Sequence, residues 1–298
     1  MHIIGFYDNM GRISHNSGYI GSDQRRTKAG SYDGRKHYLE RISGEFSNQA
    51  WSPSLITTAL WLDAADASTI TLNGSTVSQW NDKSGNGRNA TQATALQQPT
   101  YTSNSQNGYG IISFDGSNDN LDISSTTLIT SGNSNFGVFA AYKAKVATSG
   151  YGTILGNYST GNFQLLFGGQ TVAAYLAPWG LYNNASLDLD SGNYTQNLNW
   201  IISCVRTSGL ITGYTNGTTK NIVSNIASVY TVANTQSVWT VGANTVNGEA
   251  GNMDLYELIV INETVSTDTR ERIEGYLAYK WGLTANLPND HPYKNKQP

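Results

Sequence analysis

The sequence predicts an all-β protein, an antiparallel β-sandwich that carries one C-terminal helix and an irregular N-terminal arm. Three observations support this fold class. Charged residues make up 13% of the chain and aromatic residues 11%, which is not the composition of a disordered protein. Short apolar runs are separated by turns of Gly, Asn and Ser about every ten residues, as in sandwiches. A helical apolar pattern occurs near the C-terminus and is not interleaved with the strands.

The strands are predicted from Leu55 onward. Residues 77–80 and 136–142 alternate apolar and other side chains, and residues 200–205 form the continuous apolar run of a strand in the core. Residues 253–261 form the longest strand candidate near the end of the chain. Asn216-Gly217 is a strong hairpin signal, and Asp115-Gly116 is a second hairpin-type turn signal.

A single helix is predicted after the last strand. Asp268 is expected to be its N-cap, with Glu271 at N3 completing a reciprocal capping arrangement. Gly282 supplies the left-handed residue that ends the helix. We expect the helix to lie on the edge of the sandwich, with Trp281 as its anchor. An apolar stripe at a spacing of four consists of Ile273, Leu277 and Trp281.

The first fifty residues differ from the rest in charge. They hold seven Lys and Arg against five Asp and Glu, whereas the remainder holds eleven against sixteen. They also contain three of the four His and few aliphatic residues, so this segment cannot bury enough surface to fold alone. The sequence therefore predicts an N-terminal anchoring arm over residues 1–53 and a sandwich over residues 54–298. Arg25, Arg26 and Lys28 are candidate anchoring residues, and the alternative is an ordinary solvated loop.

Several segments together carry a family resemblance. They resemble concanavalin A-like lectin/glucanase domains of the laminin-G type, which are common in phage tail fibres, head fibres and other virion proteins. The resemblance covers about residues 55–293, and it implies a jelly-roll fold of the concanavalin A-like kind. The segments are LWLDA at 60–64, VSQWNDKSGNG at 77–87, ISFDG at 112–116, DNL at 119–121, YELIV at 256–260, RIEGYLAYKWGL at 272–283 and HPY at 291–293.

The resemblance implies a non-enzymatic virion structural protein of a phage, with a lectin-like head for attachment to host-surface glycans. Its expected location is the virion, after synthesis in the host cytoplasm. The expected partners are other virion proteins, through residues 1–53, and a homo-oligomer is expected, a trimer by analogy with phage appendages. The alternatives are a passive capsid or tail decoration protein and a bacterial surface adhesin. A net charge of −3 gives no electrostatic footprint for nucleic acid, and no apolar run is long enough to span a membrane.

No catalytic constellation emerges from the residues. The acidic strand motif of β-glucan hydrolases, with three alternating acids, is missing. Asp254 and Glu257 lie three residues apart, a spacing that predicts opposite faces of a strand. The sandwich contains no His before His291, and Cys204 lies in an apolar run that predicts an inert core thiol. The chain is therefore expected not to be an enzyme.

The candidate glycan-binding residues combine aromatic rings with planar amides. Trp179 and Tyr182 could stack on a sugar, and Asn183 or Asn184 could hydrogen-bond its hydroxyls. The alternative is that Trp179 packs under its own loop. Tyr158 is a second candidate, for which the alternative is an ordinary hairpin tip.

No cofactor is expected, although a calcium ion is possible. Carboxylate and carbonyl oxygens in loops are the ligands that Ca²⁺ prefers, and the candidate pair is Asp188 with Asp190. Each acidic pair has an alternative interpretation, because Asp also caps turns by accepting from nearby backbone amides. Two further acidic pairs have suitable spacing: Asp63 with Asp66, and Asp115 with Asp119.

Overall fold

The structure is a computed structural model that describes residues 50–125, 128–130, 134–145, 151–157, 164–170, 179–182, 186–188, 197–223, 238–244 and 249–298. The chain divides into two units, Met1–Ala50 and Trp51–Pro298. Residues 1–49 lie outside the described residues, so the predicted arm over residues 1–53 stays a prediction.

Within the described residues the chain forms nineteen strands and one α-helix. The helix, α1, spans Thr267–Lys280. The strands in chain order are β1 (Leu60–Asp63), β2 (Ile70–Asn73), β3 (Thr76–Trp80), β4 (Ala90–Thr91), β5 (Thr100–Gln106), β6 (Tyr109–Asp115), β7 (Leu121–Ser124), β8 (Phe136–Ala144), β9 (Tyr151–Gly156), β10 (Gln164–Gln170), β11 (Trp179–Tyr182), β12 (Ser186–Asp188), β13 (Asn199–Thr207), β14 (Leu210–Thr215), β15 (Thr218–Val223), β16 (Val238–Val241), β17 (Ala243–Asn244), β18 (Glu249–Ala250) and β19 (Asn252–Ile261).

The strand pairings form two series and one separate pair, β17 with β18, and all of them are antiparallel. The first, called the front sheet, runs in the order β2-β3-β4-β7-β16-β9-β10-β11-β12. The second, called the back sheet, runs β19-β8-β13-β14-β15, with β1 and β6 on the other side of β19. Strand β5 pairs with both β3 and β6 and so connects the two series. The predicted antiparallel β-sandwich is confirmed.

The core lies between the two sheets. Alternate residues of a strand point to the same face, so one set of residues from each sheet faces the core. In the front sheet Leu121 and Ile123 of β7 are fully buried, while Thr91 and Ser124 are exposed. In the back sheet β8 is buried along nearly its whole length, since one of its faces meets the core and the other meets α1. Cys204 of β13 lies in this core with 2% of its surface exposed.

One of the two predicted hairpin signals is correct. Asn216 and Gly217 have φ of 50° and 78° and join β14 to β15. The prediction at Asp115-Gly116 is wrong as a hairpin, because β6 pairs with β5 and β19 whereas β7 pairs with β4 and β16. A hairpin that was not predicted joins β5 to β6 through Asn107-Gly108, with φ of 49° and 81°.

The helix exists where it was predicted, but its N-cap is different. Ser266 is the N-cap, and its Oγ accepts a hydrogen bond from the Thr269 amide at 3.0 Å. Asp268 lies in the first turn and accepts from Arg272 Nε at 2.7 Å, and Glu271 accepts from Arg270 instead of capping. At the other end Gly282 has a φ of 70°, as predicted.

Helix α1 lies across the face of the back sheet, so the expectation of an edge position is wrong. At its C-terminal end Trp281 stacks on Tyr256 of β19 with ring centroids 5.1 Å apart. In its middle Glu274 accepts from Ser203 Oγ of β13 at 2.8 Å. The predicted apolar stripe is confirmed, since Ile273, Leu277 and Trp281 are all fully buried. The helix therefore covers the outer face of the back sheet.

Candidate functional site

The carboxylate of Glu257 is fully buried beneath α1, and four donors, one from β1 and three from α1 and its C-cap, surround it. Oε1 accepts from Trp61 Nε1 at 2.7 Å and from Tyr276 OH at 3.0 Å. Oε2 accepts from Lys280 Nζ and from Trp281 Nε1, both at 2.8 Å. Because all four partners are donors, they fit an ionised carboxylate. Burial raises the pKa of Glu257, and the positive charge of Lys280 opposes that effect.

The charge cluster continues from Glu257 towards the surface. Lys280 Nζ also contacts Asp63 Oδ1 at 2.5 Å, and Lys83 Nζ contacts Asp63 Oδ2 at 2.8 Å. Lys83 pairs in addition with the more exposed Asp66 at 2.9 Å. Hydrogen bonding from Ser68 and Lys83 lowers the pKa of Asp66. Acids and lysines therefore alternate from the core to the rim, and the cluster ties β1 and β19 to the helix.

The spacing of Asp254 and Glu257 does not place them on opposite faces, so that prediction is wrong. The register of β19 against β8 shifts between Leu255 and Glu257, which is a β-bulge. Asp254 therefore lies opposite Lys143 and Glu257 opposite Ala141, two positions of the same parity. Both acids thus lie on the same face of β19. The four donors already occupy both oxygens of Glu257, so this carboxylate has the geometry of a structural group.

A second buried network contains the tail histidine. Ser203 Oγ donates to Glu274, Arg270 pairs with the same carboxylate, and His291 Nε2 lies 3.4 Å from Glu274 Oε2. His291 Nδ1 accepts from the Tyr293 amide at 3.2 Å. The serine therefore donates to a carboxylate and not to the imidazole, which is not the arrangement of a nucleophilic triad.

Cys204 is the one cysteine of the chain, and it was predicted to be inert. Burial raises the pKa of its thiol to about 12. The thiolate, which is the reactive form, is therefore rare at neutral pH.

The outer face of the front sheet has a different character. A row of directly paired residues crosses four of its strands and consists of Gln79, Thr91, Asp122 and Thr240. Thr91 is exposed, and Gln79 and Asp122 are partly buried. Gln79 Nε2 donates to Asn81 at 2.6 Å. Thr240 is buried, so the row presents the amide of Gln79, the hydroxyl of Thr91 and the carboxylate of Asp122.

Asp122 is the charged member of this row, and its carboxylate accepts few hydrogen bonds from the described residues. Its Oδ1 accepts from Thr240 Oγ1 at 3.2 Å, and Thr240 is the one hydrogen-bond donor to its carboxylate among the described residues. Burial raises the pKa of Asp122, because partial removal from water disfavours the charged form. The sequence analysis did not single out Asp122. The signal for it was its position between Leu121 and Ile123, which places one acid on the outer face of an alternating strand.

The register extends this row to one of the sequence-predicted residues. Thr240 lies opposite Gly156, Gly156 opposite Leu166, Leu166 opposite Gly180, and Gly180 opposite Asp188. Asp188 was expected in a loop, but it closes strand β12. Five strand spacings separate Asp122 from Asp188, a distance of about 24 Å.

The two predicted aromatic residues fall into different rows. Trp179 lies opposite Phe167, which lies opposite Leu155, which lies opposite Val241. Trp179 thus shares a register row with Leu155 and Val241, which are fully buried core residues. Tyr182 is two positions from Gly180 and belongs to the set that includes Asp122 and Asp188. β11 therefore brings Tyr182, but not Trp179, to the rows of Asp122.

The remaining site predictions stay predictions because they lie outside the described residues. They are the glycan candidates Tyr158, Asn183 and Asn184, the calcium candidate Asp190, and the anchoring candidates Arg25, Arg26 and Lys28.

The other two acidic pairs bind backbone amides and a lysine. Asp115 Oδ1 accepts from the amide of Ser117 at 2.8 Å, and Asp119 Oδ2 accepts from the amide of Asp115 at 3.0 Å. Burial, together with the charge of Asp115, raises the pKa of Asp119 to about 6. Asp63 and Asp66 are bound to Lys83, as described above. In the part of the chain that the structure describes, no three His, Cys, Asp or Glu side chains form a group that could hold a metal ion.

Comparison with known proteins gives structural neighbours. No protein-family model matches the sequence, and no curated protein matches it. Domain 4 of AbnA, an extracellular GH43 arabinanase of Geobacillus stearothermophilus solved with arabinotriose, is similar to this chain. The TM-score is 0.54 at 13% identity, over 72% of this chain and 96% of that domain.

Two larger proteins contain a similar fold. Trypanosoma rangeli sialidase, solved with sialic acid, matches with a TM-score of 0.52 at 12% identity, over 83% of this chain and 40% of the sialidase. The binding domain of Paraclostridial Mosquitocidal Protein 1 matches with a TM-score of 0.52 at 10% identity, over 75% of this chain and 52% of that domain. The chain thus spans about half or less of these two proteins. At such identities the likeness establishes the sandwich fold.

Proposed function

We propose that the sandwich is a non-enzymatic carbohydrate-binding module, and that its binding surface is the outer face of the front sheet. The proposal rests on the environment of the Asp122 carboxylate. A carboxylate that is partly removed from water and has one hydroxyl donor carries an unmet electrostatic cost. Such a group is a candidate for ligand contact, because a ligand that donates to it recovers that cost.

The chemistry of the row suits a polyol. Sugar hydroxyls are both donors and acceptors, and they can pair with the amide of Gln79 and the hydroxyl of exposed Thr91. The carboxylate of Asp122 accepts from hydroxyl donors with a charge-assisted hydrogen bond. The stretch of the row between Thr240 and Asp188 consists of Gly156, Leu166 and Gly180, so the polar part of the row runs from Gln79 to Thr240. This polar part crosses four strands, about 14 Å, a length that suits a short oligosaccharide.

The structural neighbours support a sugar ligand. The arabinanase domain was solved with arabinotriose, and the sialidase was solved with sialic acid. Those ligands belong to the neighbouring structures. They favour a glycan over other polar ligands for a chain of the same fold.

The non-enzymatic part of the proposal rests on the buried acids. Glu257 is covered by α1 with both oxygens hydrogen-bonded, and Ser203 donates to Glu274. Neither group has the geometry of a nucleophile or of a general acid with access to a ligand. A calcium ion held through Asp188 and Asp190 stays part of the proposal. In the described part of the chain, no helix is long and apolar enough to cross a membrane.

The finer proposal places this module on a phage virion. It is supported by the resemblance of residues 55–293 and by the excess of Lys and Arg over Asp and Glu in residues 1–50. In this proposal residues 1–53 anchor the chain to other virion proteins, copies of the chain form a trimer, and the front sheet contacts host-surface glycans.

The test is a binding screen of the full chain against an array of neutral and acidic glycans, with and without calcium. We expect saturable binding that Asp122→Asn weakens by about tenfold, because one charge-assisted hydrogen bond is replaced by a neutral one. Asp268→Asn is the matched control, since Asp268 is an exposed aspartate on α1. No binding to any glycan, or equal binding by both variants, would show that the front sheet is not the binding surface.

A further inference from the structure

The strands of the front sheet that the structure describes contain no cationic side chain. Strands β2, β3, β4, β7, β9, β10, β11, β12 and β16 hold no Lys, Arg or His. Their two acids, Asp122 and Asp188, lie in one register row. The back sheet, in contrast, contains Lys143, Arg206 and Lys220 together with its acids.

The segments that connect these strands add little positive charge. Residues 89–142, 146–205 and 221–269 contain no Lys, Arg or His. The loop between β3 and β4 contains Lys83 and Arg88. Lys83 is held by Asp63 and Asp66, and Arg88 Nη1 donates to the Ala59 carbonyl at 2.5 Å.

From this distribution we infer that the front sheet takes a neutral saccharide and discriminates against sugars that carry a carboxylate or sulfate. The inference rests on the proposed carbohydrate binding and specifies its ligand class. An acidic sugar beside Asp122 meets a like charge in a partly desolvated position, with no cation on the strands to pair with it. Neutral hydroxyls donate to the same carboxylate without that repulsion.

The expected discrimination is moderate and depends on salt. At an effective dielectric constant of about 40, between the values for a protein surface and for water, two like charges about 8 Å apart repel by roughly 1 kcal/mol, which corresponds to about fivefold in affinity. Exposed charges are screened by salt, so the discrimination shrinks as ionic strength rises. A purely steric preference would not respond to salt.

The experiment compares matched pairs of probes on the full chain. The pairs are lactose with 3′-sialyllactose, xylotriose with glucuronosyl-xylotriose, and methyl-esterified trigalacturonate with free trigalacturonate. We expect the neutral member of a bound pair to bind at least about fivefold more tightly at low salt, and the difference to shrink in high salt. Thr91→Lys should narrow the difference because it places a cation in the row of Asp122, whereas Thr102→Lys on exposed β5 should not.

The outcomes separate the two proposals. Equal or tighter binding of the acidic members, still weakened by Asp122→Asn, overturns the inference about ligand class and leaves carbohydrate binding in place. A failure of every member of the array and of the pairs to bind, neutral and acidic alike, overturns the proposed function, and the inference with it.

Discussion

The two outer faces of this sandwich surround an acidic side chain in different ways. On the back sheet Glu257 accepts from two indoles, a phenol and an ammonium group under a helix. On the front sheet, within the part of the chain that the structure describes, the Asp122 carboxylate accepts from one threonine hydroxyl. The protein itself supplies four donors to the first carboxylate, and the proposed ligand would supply further donors to the second. Within one fold, the completeness of hydrogen bonding therefore separates a structural acid from a candidate binding acid.

The largest expected effect is on the covered face. Glu257→Ala should lower the free energy of unfolding by about 3–5 kcal/mol, because it leaves Lys280 as an uncompensated charge and Trp61 and Trp281 without acceptors. Urea unfolding at pH 7 measures this loss. Asp290→Ala, at an exposed position of the tail, is the control and should change stability by less than about 0.5 kcal/mol. A loss for Glu257→Ala no greater than for this control would break the comparison, since it would mean that the cluster under α1 does not stabilise the fold.

A smaller effect is expected at the start of the helix that covers this face. Ser266→Ala should cost about 1 kcal/mol, because Ser266 caps the Thr269 amide. Asp268→Ala should cost only a few tenths, from its exposed pair with Arg272 and its interaction with the helix dipole. Thermal unfolding of both variants measures the order. The reverse order would restore Asp268 as the cap.

The smallest effect on stability is expected on the front sheet, where the substitution should stabilise the fold instead of destabilising it. The pKa of Asp122 is raised in the folded state, so its favourable contribution is fully present below its unfolded pKa of about 3.9 and is lost as pH rises through the folded pKa. Asp122→Asn should therefore raise the free energy of unfolding at pH 7 by up to about 0.5 kcal/mol, with no gain at pH 4. Urea unfolding of both proteins at the two pH values checks this. Destabilisation at pH 7 would mean that Asp122 is a structural acid like Glu257.

The elements of this fold were predictable where local chemistry determines them. The stripe that contains Ile273, Leu277 and Trp281 and the left-handed Gly282 define a helix without help from the rest of the chain. The N-cap was harder to predict, because Ser266 and Asp268 are both favoured cap residues two positions apart. The choice between them depends on which hydroxyl or carboxylate meets a free amide in three dimensions.

The candidate site was less predictable, because it depends on pairings between distant parts of the chain. The bulge before Glu257 reverses the face that its spacing from Asp254 predicts, and no local residue pattern marks it. Asp122 and Asp188 share a row only because four strands pair between β7 and β12. The same pairings separate Trp179 from Tyr182, which are close in sequence and of similar chemistry. Local composition suggested the ligand class, whereas the register decides which residues share a face.

The chemical reactivity of the buried Cys204 thiol reports unfolding of the protein without an added probe. Cys204 lies between the two sheets with a pKa of about 12, so a thiol-specific reagent reacts with it only when the core opens. The rate of that reaction in native buffer therefore measures the population of open molecules without denaturant. For the same reason, a second cysteine introduced on the exposed surface of the front sheet would take up a fluorescent label selectively, and one chain could then report ligand occupancy and core opening in the same experiment.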